Sequence, residues 1–528
     1  MCGHLFIFEK QRFINAERAS ESLKIQSNRG PDFSDEKFLN ISNDNNFKEV
    51  EKQHLQSKIY IGHNRLSIID LSQESNQPIL TKKFFLLYNG EFYNFKNFAN
   101  NQTSNSDTLT LFKELKNNNL DIFKSINGMW SLVFADLNNK QVIFSRDRYG
   151  KKPLYYYEDK NIFISSTDTR SIFNYLNFKS RTIDLENLSK IFLLKLNSYN
   201  STSTFYKNIK QVKPGYSIKL DINTFEKKII KHKYFHNFSK KITFKDPINS
   251  FRHDFNNALT ARMTSDRNIG FLVSGGVDSS MIISNLFKNS KNIENSYFYF
   301  ARTFDKRTNK ENHEDRYFAK LLSKKLKFKL NEIDMILSDT EIETTLKDMI
   351  IYFDQPFNFE LTSVPLSLIS NRMKEDNVPV LIDGAGGDEV MGGYPVYLSL
   401  AFANARSKNI FKALKYFFYD CSFKKSFLLK NFLILLRDFT KKQIKIEQKF
   451  KHYKFLNNSI KSLVLNSAKF PRDNYTNMTK RQLYDLFRHQ IPFYLQINDS
   501  FCMKNSVENR SPFLDQNLLK YIYLEDNL

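Results

Sequence analysis

The sequence predicts two domains in tandem, a strand-rich α+β domain followed by an α/β domain built on a parallel sheet. Three observations predict it. Short apolar runs separated by turn residues fill the chain up to about residue 210, and a strand, glycine turn, helix unit then recurs from Asn249 onward. The length, 528 residues, is several times the roughly 150 of one domain. With 41% hydrophobic residues, including 51 Phe and 26 Tyr, the composition excludes an intrinsically disordered chain.

In the first domain, residues 1–210, the runs Ile59–Ile61, Phe84–Tyr88, Trp130–Ala135, Val142–Ser145 and Asn161–Ser165 read as strands. Residues 211–245 hold the turn Pro214–Gly215 and charged, hairpin-like segments, and read as a linker with a hairpin. In the second domain, residues 246–528, Asn249–Met263 has helical spacing and Ile269–Val273 is a short buried strand. Asp278–Phe287 returns to helix through Met281, Ile282, Ile283 and Leu286. The pattern repeats with Ser296–Phe300, Asp315–Leu326 and Val378–Ile382 before a second glycine turn. Ligands of such sheets bind beyond the carboxyl ends of the strands, where both glycine loops fall.

The apolar stretches, such as Phe432–Leu436, are far below the ~18 residues of a membrane span. The start, MCGHLFIFEK, lacks the basic region of a secretory signal, so a cytoplasmic location is expected. Three cysteines, Cys2, Cys421 and Cys502, make neither a disulfide framework nor a Cys-x-x-Cys metal pair. The formal charge of +23 raises the question of nucleic acid, and much of the excess sits in Arg406–Lys454. There the basic residues are spread among Phe and Leu, which reads as a solvated helical face. An RNA-binding surface would interleave aromatics on a basic sheet, and no such run is present.

The strand Ile269–Val273 leads into Ser274, Gly275, Gly276, Val277, Asp278, Ser279 and Ser280. Adjacent glycines let backbone approach a polyanion, and the helix that follows offers its N–H groups and the positive end of its dipole. No lysine follows as a Walker loop requires, so the ordinary P-loop is excluded. Asp278 would repel phosphate unless a cation intervenes, and magnesium resolves the conflict. Asp388, in the second loop Asp383-Gly384-Ala385-Gly386-Gly387-Asp388-Glu389, is positioned to supply the other carboxylate to the metal.

At the other end of the chain, removal of Met1 would leave Cys2 with a thiol and a free α-amine. A terminal amine of pKa near 8 can take the thiol proton without a histidine. Asn89 and Gly90, expected at the end of the strand Phe84–Tyr88, are the donor types of an oxyanion hole. Arg65 suits bidentate capture of a carboxylate, and Asp107 suits an ammonium group.

Taken together these residues resemble the glutamine-dependent asparagine synthetases. The matching runs are MCG at the start, RGPD at Arg29–Asp32, RLSI at Arg65–Ile68, NGEFYN at Asn89–Asn94, SD at Ser106–Asp107 and RDRYGKKPLYY at Arg146–Tyr156. SGGVDSS, GAGGDEVMGGY and ENRSPFLD at Glu508–Asp515 complete the order. The resemblance implies an N-terminal-nucleophile glutaminase domain, an αββα sandwich, joined to an ATP-pyrophosphatase-like synthetase domain. It implies that Cys2 attacks the glutamine amide, that Asn89 and Gly90 stabilise the oxyanion, and that Arg65 holds the α-carboxylate. Gly90, Glu91 and Asp107 would hold the α-amino group. Ser274–Ser280 would bind ATP with Leu272, Phe300, Asp383 and Gly384, and Asp278 and Asp388 would bind Mg2+. Aspartate would be adenylated and then aminated by ammonia carried inside the protein, and a homodimer would be in keeping with the family.

The chain also departs from the family pattern. Ala385 stands where an acidic residue is usual, and the chain printed here ends at Leu528 before the family's lysine-containing segment. Thr167 replaces a Glu, and His4 and Phe6 replace small or aliphatic residues. These departures leave two alternatives beside asparagine formation: another carboxylate as acceptor, such as a sugar acid of surface polysaccharide, or a glutaminase with a degenerate second half.

Overall fold

The computed structural model describes residues 2–51, 56–98, 105–117, 120–178, 181–188, 202–232, 244–289, 293–302, 304–305, 310–311, 313–335, 338–355, 363–394, 396–397, 400 and 478–527. The basic stretch 406–454 and the apolar run 432–436 lie outside the described residues.

Two antiparallel sheets stack face to face in the first domain. One runs in the order Lys210–Gln211, Tyr155–Glu158, Ile162–Ser166, Gly3–Glu9, Ile59–Arg65, Phe33–Ile41 and Phe47–Glu49. The other runs Lys227–Lys231, Tyr216–Asp221, Gln141–Arg146, Gly128–Asp136, Phe84–Phe92 and Ile79–Leu80. Strand alternation sorts the side chains. Phe6 and Phe8 point into the space between the sheets with Phe85, Leu87, Val133 and Phe144. Leu5 and Ile7 point outward, under the helices Ala16–Lys24 and Thr169–Leu176, with Ala19, Leu23 and Ile172. Leu86 and Tyr88 of the second sheet meet Leu111, Phe112 and Leu115 of the helix Asp107–Lys116. The layers are therefore helix, sheet, sheet, helix, the expected αββα sandwich.

Two sequence readings are corrected. The strand expected to end at Tyr88 runs to Phe92, because Gly128–Asp136 pairs with it along its whole length, Asn89 opposite Ser131 and Gly90 opposite Trp130. The segment read as a linker from 211 is not free-standing at its start. Tyr216–Asp221 pairs with Gln141–Arg146 and carries Lys227–Lys231 on its outer edge, so the charged hairpin extends the second sheet.

The second domain holds a five-stranded parallel sheet in the order Leu330–Asp334, Ser296–Arg302, Ile269–Leu272, Val380–Ile382 and Glu508–Arg510. Ile269–Leu272 is central, and the chain goes to one side of it first and the other side later. That reversal is the switch point where two adjacent strands open their carboxyl ends into a shared crevice. The helix Pro247–Arg262 precedes the first strand, capped by Asp246, whose side chain accepts from Asn249 N at 3.1 Å. The core beneath the crevice contains Phe255, Phe271, Val273, Ile282, Val380, Ile382 and Phe513.

Candidate active site

The first cluster of functional groups gathers at the start of the strand Gly3–Glu9. Cys2 is buried, and its backbone N–H donates to Asn89 Oδ1 at 3.0 Å. Asn89 Nδ2 donates to Ser131 Oγ on the neighbouring strand at 3.1 Å, which fixes the amide's orientation and leaves one Nδ2 hydrogen for another acceptor. Ser131 Oγ also lies 3.4 Å from His4 Nε2, so His4 ends a chain of polar contacts that leads to Asn89. Burial, aided by nearby positive charge, holds His4 and His63 down at about 3, so both rings are neutral. At Gly90 an added Cβ would sit 2.1 Å from the Met129 carbonyl oxygen, and only glycine lets the strands approach this closely. Burial pushes the Cys2 thiol up, with a hydrogen bond from the Leu66 backbone and the Arg65 charge opposing it.

Arg65 ends the strand Ile59–Arg65 and is buried. Its Nη1 donates to Ser72 O at 2.9 Å and Asn76 Oδ1 at 2.7 Å, and its Nη2 donates to Asp70 O. Three of the five guanidinium donors are thereby used on one loop. The loop is tied in turn to the start of the helix Asp107–Lys116, because Ser75 Oγ donates to Ser106 Oγ at 2.7 Å and Ser106 caps the helix. Asp107 accepts from Phe92 N at 3.0 Å, and burial pushes its carboxyl up to about 6. Glu91 is buried and pushed well above the usual carboxylate range by burial and by the Glu508 charge, with Arg510 opposing.

The second cluster is built on the crevice of the parallel sheet. Gly275 has φ +76, and an added Cβ would lie 2.2 Å from Asp315 O, so the turn out of Ile269–Leu272 depends on glycine. Ser279 Oγ closes the loop, receiving Ser274 N at 3.2 Å and standing 2.9 Å from Ser274 Oγ. The helix Val277–Asn289 starts inside this turn, with Ser280 N donating back to Gly276 O at 3.1 Å and Val277 exposed. Leu272 lies half-buried at the strand end, whereas Phe300 is buried in the core.

The two acidic loops meet. Burial, with the Asp388 charge added, pushes the Asp278 carboxyl up to about 6, and burial pushes Asp388 up as well. A Cβ at Gly387 would fall 2.4 Å from Asp278 Oδ2, and one at Gly384 would fall 3.1 Å from Asp278 Cβ. The second loop thus leaves room beside the Asp278 carboxylate that any side chain would fill. Two carboxylates that resist ionising together suit a cation shared with phosphate oxygens. Among the described residues no group of three or more His, Cys, Asp or Glu gathers to bind a metal without such help.

Asp383 starts the second loop and is buried. It accepts from Ser511 Oγ at 2.6 Å, Asn509 Nδ2 at 2.9 Å and Ala385 N at 3.2 Å.

A buried polar joint connects the clusters. Arg29 Nε donates to Cys2 O at 3.2 Å while its Nη2 pairs with Asp499 of the helix Gln490–Lys504 at 2.8 Å. Lys151 Nζ reaches Asn509 Oδ1 at 3.1 Å and Ser511 Oγ at 2.7 Å. Burial holds Lys151 down to about 7 despite the Asp383 charge. Asn127 Nδ2 donates to Asp515 Oδ2 at 2.7 Å, and Arg148 Nη2 to Gln516 Oε1 at 2.8 Å. None of Arg29, Ser131, Lys151, Asn509 or Arg510 was singled out from the sequence. Arg29, Lys151, Asn509 and Arg510 do lie inside the matching runs RGPD, RDRYGKKPLYY and ENRSPFLD, whereas Ser131 lies in none of them.

The family model for asparagine synthase matches residues 250–524, and the model for a glutamine amidotransferase domain matches residues 1–235. The chain belongs to the asparagine synthase family. It is accordingly an ATP-dependent, glutamine-hydrolysing ligase. Asparagine synthetase (glutamine-hydrolyzing) 1 of Bacillus subtilis is 25% identical over 98% of this chain and 80% of its own length. The Homo sapiens asparagine synthetase (glutamine-hydrolyzing) is 26% identical over 75% of this chain and 67% of its own. Amidase chry2 of Gibberella zeae is 25% identical over 72% of this chain and 56% of its own. No helix among the described residues of this asparagine synthase family member is long and apolar enough to cross a membrane.

Proposed function

We propose that this chain moves the amide nitrogen of glutamine onto ATP-activated aspartate, giving asparagine, glutamate, AMP and pyrophosphate. The buried joint carries the reading. Arg29 touches Cys2 with one end and the synthetase helix with the other, and Lys151 reaches across to the residues that hold the nucleotide loop. Two independent modules would have no use for buried charges committed across their contact.

In this reading the chain lacks Met1, and the Cys2 α-amine takes the thiol proton as sulfur attacks the glutamine amide carbon. The remaining Asn89 Nδ2 hydrogen and the Gly90 N–H stabilise the oxyanion. The proton returns to the leaving nitrogen, ammonia departs, and water cleaves the thioester to glutamate. Arg65 holds the α-carboxylate, and Gly90, Glu91 and Asp107 hold the α-ammonium group. In the second half the turn 274–280 wraps the ATP phosphates, with Leu272, Asp383 and Gly384 beside the nucleotide and Phe300 packed behind them. The aspartate carboxylate attacks the α-phosphorus and pyrophosphate leaves. Ammonia then attacks the acyl carbon, the bond to AMP breaks, and the excess proton is lost. Asp278 and Asp388 are the residues that fit Mg2+, which when bound would offset the negative charge gathered on the pyrophosphate.

Ala385 favours a second reading, with another carboxylate in place of aspartate. It leaves no acidic side chain at that point of the nucleotide loop, and the Gibberella zeae amidase has the same 25% identity, over a shorter stretch, as the Bacillus subtilis synthetase. Mass spectrometry after incubation with ATP, magnesium, amide-labelled glutamine and a panel of carboxylates decides between them. Labelled asparagine and AMP are expected. Label on a different carboxylate replaces aspartate as acceptor, and glutamate formation with no labelled amide removes both readings.

A further inference from the structure

The strand Glu508–Arg510 is the edge of the parallel sheet, paired with Val380–Ile382, and its successive side chains face opposite ways. On one face, Arg510 Nη2 stands 3.0 Å from Glu91 Oε1 in the glutaminase domain. The guanidinium is braced from behind: Nε donates to Glu508 Oε1 at 2.6 Å, and Nη1 donates to the carbonyls of Arg262 at 2.8 Å and Thr264 at 2.6 Å. Arg510 is fully buried, and Glu91 Oε2 is buried without a hydrogen-bond partner among the described residues.

The other face serves the second site. Asn509 and Ser511 both donate to the Asp383 carboxylate, and both accept from Lys151. The backbone closes the arrangement, since Asp383 N donates to Arg510 O at 3.0 Å. A single residue of the synthetase domain thus grips a glutaminase carboxylate with its side chain and the first residue of the nucleotide loop with its carbonyl. An orphaned carboxylate oxygen in a buried site is costly unless a cation completes it. The ammonium group of a bound amino acid is such a cation.

We propose that Arg510 is a positioning residue of the glutamine site supplied by the synthetase domain, holding the Glu91 carboxyl in place so that Oε2 receives the α-ammonium group of glutamine. The assignment rests on the reading of Glu91 as part of the glutamine site. The segment 508–511 then ties the geometry of that site to the loop that begins at Asp383.

The test compares glutamine with 4-carbamoylbutanoate, the same amide and carboxylate without the α-amino group, as hydrolysis substrates of the full chain. Arg510→Met is expected to raise KM for glutamine about tenfold or more and to leave KM for the analogue within about twofold. Arg510→Lys should recover much of the loss. Glu91→Gln, which preserves shape, should give the same split, and the double variant should be no worse than either single one. Equal rises for both substrates, or no rise for glutamine in Arg510→Met and Glu91→Gln, overturn the proposal alone. A wild-type chain that hydrolyses neither substrate overturns it together with the glutamine-site reading.

Discussion

Replacing Cys2 by Ala is expected to abolish glutamine hydrolysis, by at least about a thousandfold in kcat, while ammonia-driven synthesis continues at the wild-type rate. Among the described residues of its cluster the thiol is the strongest nucleophile, since the Ser131 hydroxyl is held by Asn89 and faces His4. His4 and His63 are buried, neutral and committed to neighbours, His4 toward Ser131 and His63 to the Tyr88 carbonyl at 3.0 Å. Asn89 and Gly90 offer only N–H donors, which can polarise a carbonyl but cannot form a covalent bond to it. The Ala variant keeps the backbone nitrogen and its contact with Asn89, so on the proposed reading the site would lose its nucleophile and little else. The second cluster shares no side chain with Cys2, and its contact through Arg29 is made to the Cys2 carbonyl, which Ala retains. Assays with glutamine and with ammonium chloride, run in parallel on the same preparation, check both halves of the expectation. Loss of both activities would show that Cys2 supports the synthetase half in a way this account does not include.

The second large effect is expected at Asp278. Asp278→Asn should lower pyrophosphate release by about a hundredfold or more, since metal-assisted charge stabilisation is worth several kcal/mol and each 1.4 kcal/mol is a factor of ten. Asp388→Asn should do the same. The sign of the accompanying stability change separates this from misfolding. The Asp278 carboxyl is raised from 3.8 to about 6, so in the folded chain it holds a proton that it would lose if unfolded. Its contribution to stability is therefore present at low pH and lost as pH rises through about 6. Above about pH 6 the metal-free wild type carries a partly buried charge at Asp278 that the Asn variant never carries. Thermal unfolding of the metal-free variant is expected at or above the wild-type temperature, with glutamine hydrolysis retained. A drop in unfolding temperature together with loss of both activities would assign Asp278 a structural role.

Much of the second site could be read in the sequence because its parts are local. A short strand, a glycine turn and a helix lie in one run, and the acidic loop lies in another, so only the adjacency of two strands had to be inferred. The register Ile269 with Val380 supplies that adjacency. The first domain was harder at two points for one reason. Asn89 and Gly90 have turn-forming chemistry, yet they sit inside a strand because Gly128–Asp136 offers them a full ladder of partners. The hairpin beginning at Tyr216 was legible, but not that it binds a strand more than seventy residues earlier in the chain. Non-local pairing decided both.

The joint between the domains was the least legible part. Arg29 with Asp499 and Lys151 with Ser511 are separated by hundreds of residues, and no spacing rule links them. Buried Arg, Lys and Asp require partners, but that these residues are buried at all follows from the docking of the two domains, which no local run of sequence displays.

Nitrogen released at Cys2 is expected to reach the activated carboxylate within the same molecule. The direct measurement supplies glutamine labelled with 15N in its amide, together with a large excess of unlabelled ammonium, and reads the isotope content of the new amide by mass spectrometry. An amide carrying mostly 15N despite the unlabelled pool is the predicted result. An isotope ratio equal to that of the bulk ammonium would contradict the account.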